Sequence, residues 1–225
     1  MAITVVNAEA ERTDNFADPS TYTLTMTPTT GNSLLVAIYM NGVTFTSLSD
    51  SGGNTWVQDF QTTGRAANDM VFYRCQTIGT VPTTLSLDTS ANSQPWVAVM
   101  EVSGLDATPL NETVAGQSLG LSQTSHSLAY TTAEAGELVF AICDLNSGSS
   151  GNSGASGTVV LNPTVDSRFF AYKEVASAET GQIDLTTVDS ETIYASLVSY
   201  QAAAAAATGA SSLIGSNLIN SGTGR

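Results

Sequence analysis

The segment TPTTGNSLLVAIYMNG around Gly31 returns later in the chain as TTAEAGELVFAICDLNSG around Gly136. Each copy is a Thr-rich stretch, a glycine, a short apolar run and a Gly/Asn loop. The correspondence continues in order. VFYR at 71–74 matches FFAYK at 169–173, LSLDT at 85–89 matches IDLTT at 183–187, and WVAVM at 96–100 matches IYASL at 193–197. A fold must therefore accommodate the same four apolar strands twice.

Strand-like apolar runs separated by Gly, Ser, Asn and Asp turns point to an all-β protein. Two copies of a four-strand antiparallel unit are the material of a jelly-roll β-sandwich. The expectation is one such domain over residues 1–201, with an Ala-rich C-terminal arm over 202–225. The length of 225 residues suits a single all-β domain, and 42% apolar content supplies its core.

Alternation predicts a half-buried strand at 21–27, and the run at 34–40 predicts a buried one. DSGGN at 50–54 reads as a hairpin turn returning into TWV at 55–57. Residues 106–124 read as a long connection, and NSGSSGNSGASG at 146–157 as a flexible loop in the place of the first hairpin. QAAAAAA at 201–207 is the one helix candidate.

The net charge of −14 comes from six Lys or Arg against twenty Asp or Glu. The cations do not cluster, which argues against nucleic acid and anionic membranes as partners. MAITVVNAEAERTDNF lacks the basic and apolar regions of an export signal, so synthesis and retention in a cytosol, or release within a larger particle, are expected.

The sequence offers little chemistry. Cys75 and Cys143 lie apart in apolar strands and read as buried free thiols, with no metal or disulfide framework. Gly116-Gln117-Ser118-Leu119-Gly120 matches the nucleophile-elbow pattern, but outside a strand-to-helix turn and with His126 as the sole histidine. His126 itself reads as an exposed or half-buried strand residue. Glu101 sits within an apolar strand and reads as a solvent-face or subunit-contact residue, with no second acid to complete a glycosidase pair. Asp50, Asn54 and Asp59 could supply calcium oxygens, yet they read first as turn formers. Asn111-Glu112-Thr113 is a glycosylation sequon of little weight without export. No cofactor, no metal and no enzyme activity are expected.

Two features remain for binding. Leu213-Ile214 and Leu218-Ile219 in the arm could dock on a neighbouring subunit. Trp56, just after a turn, could serve as a platform for a glycan.

Taken in order, GNSLLVAI, SDSGGNTW, WVAVMEVSGL and AGELVFAI resemble jelly-roll proteins of bacteriophage virions and, in pattern, jelly-roll domains of bacterial surfaces. The resemblance spans roughly residues 20–200 and rests on turns and strands rather than on reactive groups. It implies a virion structural protein, a capsid decoration or cement protein or another head or tail appendage. Its partners would be copies of itself, as a homotrimer, and other virion proteins such as the major capsid protein. A carbohydrate- or surface-binding sandwich for adhesion is the alternative.

Overall fold

The computed structural model describes residues 2–13, 16–63, 68–145, 153–161 and 168–204. Among them are fourteen strands and no helix. The first half holds β1 (Thr4–Arg12), β2 (Ser20–Thr23), β3 (Ser33–Met40), β4 (Phe45–Asp50), β5 (Val57–Thr63), β6 (Asp69–Cys75), β7 (Thr84–Thr89) and β8 (Trp96–Ser103). The second holds β9 (Leu105–Thr131), β10 (Glu137–Leu145), β11 (Ser153–Ala155), β12 (Val159–Leu161), β13 (Arg168–Val175) and β14 (Thr180–Ala202). All pairings are antiparallel.

The first half forms two sheets, ordered β1-β8-β3-β6-β5 and β2-β7-β4. In the second half the long strands β9 and β14 each serve twice. Residues 105–119 of β9 pair with 193–202 of β14, and residues 125–131 pair with 180–186, with register shifts between the two stretches. The later part of β14 also pairs with β10, and the earlier part with β11. Substituting each part for a strand gives the orders β9-β14-β10-β13-β12 and β9-β14-β11. These are the two sheet orders of the first half, repeated.

The repeat is thus realised differently from the expected single sandwich with four strands from each copy. Each copy builds an eight-strand sandwich of its own. Tyr22, Val36, Val71, Leu85 and Val99 fill the first, and Leu128, Ala141, Phe169, Ile183 and Leu197 fill the second. A third core joins them: Leu35, Ala37, Phe72, Trp96 and Met100 from one side meet Phe140, Ile142, Phe170, Val198 and Tyr200 from the other. Every residue of β3 and of β10 is buried. A strand with apolar residues on both faces needs a core on each face, and here it has one.

Registers counted from Gly31 and Gly136, both at positive φ, align the copies. Leu35 answers to Phe140 and Tyr39 to Asp144, and pairing across the sheets then sets Trp96 against Tyr194 and Glu101 against Ser199. Contacts between the halves are reciprocal. β5 touches β9 as β1 touches β12, its equivalent pair, and β3 meets β10 at the centre. That is the isologous pattern of a two-fold dimer, here within one chain. The halves meet at Gly104, whose φ of +82° and close approach to Ala2, 2.5 Å from an added Cβ to the Ala2 carbonyl oxygen, leave no room for a side chain.

Several local expectations change. The turn at 50–54 forms, with Gly53 N–H donating to the Asp50 carbonyl at 3.2 Å. It does not close a hairpin, because β4 pairs with β7 and β5 with β6 in the other sheet. Residues 106–124 are strand rather than loop, held along their length by β14. Residues 153–155 of the expected second loop form β11, while 146–152 lie outside the described residues. Gln201 and Ala202 finish β14 instead of starting a helix, and Ala202 pairs with Leu105.

Candidate functional site

Most residues singled out in the sequence have structural partners. Glu101 is 2% exposed and faces inward, correcting its placement on a solvent or subunit face. Its carboxylate accepts the Thr29 N–H at 2.9 Å and the Asn32 side-chain amide at 2.6 Å, pinning the loop that leads into β3. Glu137 does the same in the second half, accepting the N–H groups of Ala133 and Glu134 at 2.8 and 2.7 Å. Buried carboxylates that accept two or more N–H bonds are satisfied groups.

Asp50, Asn54 and Asp59 do not converge on one point. Asp50 accepts N–H groups from Gly52, Asn54 and, at 2.7 Å, the Trp56 indole. Asn54 in turn accepts from Gly79 and Thr80. Asp59 is paired with Arg74 and accepts the Tyr200 hydroxyl of the other half at 3.0 Å. Among the described residues no cluster of His, Cys, Asp and Glu could hold a metal ion. Trp56 packs half-buried against the first core and donates its indole N–H to Asp50.

Asn111 donates to Glu137 at 3.0 Å and to Ser199 at 3.3 Å, so the sequon amide is engaged inside the protein. Ser118 lies in the extended strand β9, not at a strand-to-helix turn, and His126 is buried on the same strand rather than exposed. Leu213, Ile214, Leu218 and Ile219 lie outside the described residues.

Cys75 and Cys143 are buried free thiols. Burial pushes both thiols up from their ordinary range, that of Cys143 most strongly, with Asp144 adding to the effect. Neither is a thiolate at neutral or mildly alkaline pH, so a thiol reagent at pH 8 should label neither in the native protein and both in denaturant. Labelling of one equivalent under native conditions would contradict the burial.

The most elaborate polar cluster lies where the halves meet. Asp144 and Arg168 are register partners on β10 and β13, with a carboxylate–guanidinium contact of 3.2 Å. Arg168 reaches across to the first half. Its guanidinium lies 5.0 Å from the Tyr39 ring centre and 5.1 Å from that of Trp96, and it donates to the Tyr39 hydroxyl at 3.3 Å. Tyr39 also accepts from Asn68. Burial, and then the negative charge of Asp144, push the Tyr39 phenol up to about 12, so it stays a neutral donor at any physiological pH.

Beside this cluster is a recess that the sequence did not reveal. Arg12, Phe16, Asn41, Asn92, Gln94 and Trp96 bound about 250 Å³. The Arg12 guanidinium lies 5.4 Å from the Trp96 ring centre and donates to Gln94 Oε1 at 2.5 Å. Phe16 at its mouth is 66% exposed, more than any other large apolar side chain described. These residues come from the end of β1, the segment between β1 and β2, the residue after β3, and the turn into β8, which only the sheet order brings together. A second recess, of about 490 Å³, lies between the first strand and the second half and is lined mainly by Ala2, Ile3, Gly136 and Val175.

Comparison with protein-family models, with curated proteins and with solved structures returned no match.

Proposed function

We propose that this chain is a structural block of a bacteriophage particle, a decoration protein or a head or tail appendage, and that each half is a jelly roll. In each half the chain folds as a long ribbon in which the first strand pairs with the eighth, the second with the seventh and the third with the sixth. The observation that carries the reading is the isologous apolar seam. Two sandwiches locked through Phe72, Phe140 and Tyr200 make a stiff body with two similar ends. Such a body suits assembly, and its excess of carboxylates keeps copies soluble until a specific contact forms. The arm beyond Ala204, with its Leu213-Ile214 and Leu218-Ile219 pairs, supplies that contact with a neighbouring copy or another particle protein.

The test compares the full chain with one ending at Ala204, by mass photometry and thermal melting. The full chain should form a trimer, and the shortened chain should be monomeric with an unchanged melting temperature. A full chain that stays monomeric up to its solubility limit would overturn the assembly reading.

A second role, adhesion to a carbohydrate-bearing surface, is favoured by the recess around Arg12, Phe16 and Trp96.

A further inference from the structure

We infer that this recess is a binding site for one neutral pyranose unit of a glycan, with Phe16 as its stacking platform and Gln94, Asn41 and Asn92 as its hydrogen-bonding rim. The inference deepens the adhesion reading and rests on it.

The chemistry of the wall selects the ligand. Phe16 is a large aromatic left 66% exposed at the mouth of a concave surface. Leaving such a ring in water forgoes the gain of burying it, which an apolar ligand face would recover. The rim carries amides, each both donor and acceptor. Asn41 and Asn92 line the recess and are exposed to solvent. Gln94 has its carbonyl oxygen held by Arg12 at 2.5 Å, which directs the opposite, NH₂ side of the amide away from the guanidinium. A pyranose presents an apolar C–H face and a ring of hydroxyls that both give and accept hydrogen bonds. It matches an aromatic surface flanked by amides.

Charge decides against acidic ligands. The cation at the recess, Arg12, is already laid over Trp96 and bonded to Gln94. The chain as a whole carries −14. An anionic sugar or a nucleotide would meet repulsion without a free guanidinium fork to offset it. The volume, about 250 Å³, is below that of sites for drug-sized ligands and suits a single ring.

Comparison of the two halves supports a specific origin. In the second half, register places Ser118 at the position of Arg12 and Tyr194 at that of Trp96. The apolar framework is repeated, whereas the Arg–Trp pair is not. Packing therefore does not require it.

The experiment presents the full chain to an array of neutral glycans built from glucose, galactose, mannose and N-acetylglucosamine, then titrates the best monosaccharide by NMR against the wild type, Phe16→Ala and Gln94→Ala. The wild type should bind. Phe16→Ala should weaken binding about tenfold, equivalent to roughly 1.4 kcal/mol, with the melting temperature unchanged because the ring is exposed. Gln94→Ala should weaken it by a similar factor. Binding that survives undiminished in Phe16→Ala would overturn this site while leaving the adhesion reading standing. A wild type that binds no glycan would overturn both.

Discussion

Replacing Phe72 with alanine is expected to lower the stability of the whole chain by about 3–5 kcal/mol. The ring is fully buried, packs edge-on against Phe140 of the other half with centroids 5.8 Å apart, and stacks beside Phe60 at 6.4 Å. Its loss removes the transfer energy of the ring and leaves a cavity in a seam whose backbones cannot close over it. The rigid sheets on either side are held by their own inner cores. For a chain of this size the melting temperature should fall by roughly 6–20 °C. Because Phe72 belongs to the first half and Phe140 to the second, the fall should be seen by probes in both. Differential scanning calorimetry alongside indole fluorescence checks this, since Trp56 and Trp96 both report on the first half.

The second large effect is expected at Arg168. Replacing it with methionine leaves the Asp144 carboxylate, wholly buried, without its cation. Breaking one side of a buried pair typically costs about 3–5 kcal/mol, because the remaining charge keeps its desolvation penalty. Here the same substitution also strips the cation from the faces of Tyr39 and Trp96, and so loosens the seam. The double variant Asp144→Leu/Arg168→Met should recover most of the loss, since it exchanges the pair for apolar volume. Chemical denaturation of the wild type, the single variant and the double variant measures the coupling. A single variant as stable as the wild type would show that the pair is solvated rather than buried.

The four apolar runs were legible as strands because β3, β6, β8 and β10 carry continuous Val, Ile, Leu, Phe and Ala. Their continuity also held the clue to the second sandwich. A strand in an isolated two-sheet sandwich buries one face and alternates, whereas SLLVAIYM and ELVFAICDL bury both. Reading them as the centre of one sandwich left no core for the outward-facing side chains Leu35, Ala37, Phe140 and Ile142. Strand β9 is hard to read in the sequence for the opposite reason. Between Leu105 and Thr131 nearly half the residues are Thr, Ser, Gln, Asn or Gly, and no continuous apolar run marks the stretch as a strand. Its strand conformation comes from pairing with β14 rather than from local preference.

The candidate site was less legible still. Trp56 follows a turn and is half-buried, with its indole N–H donated to Asp50. Phe16, in contrast, sits in a polar stretch with no periodicity, and its partners Asn41, Asn92 and Gln94 are distant in sequence. Glu101 is a carboxylate within an apolar strand. Its explanation lay in the loop from Thr29 to Asn32, which reaches back to the carboxylate.

The seam around Phe72 and Phe140 fuses the two sandwiches into a single mechanical unit. Native-state hydrogen exchange tests it most directly, comparing the amides of β3 and β6 with those of β10 and β13 in the wild type and in Phe72→Ala. Global unfolding of one cooperative body exposes all four strands together. Both pairs should show equal opening free energies in the wild type and an equal drop in the variant. A drop confined to β3 and β6, with β10 and β13 unchanged, would mean that the halves unfold independently and would contradict it.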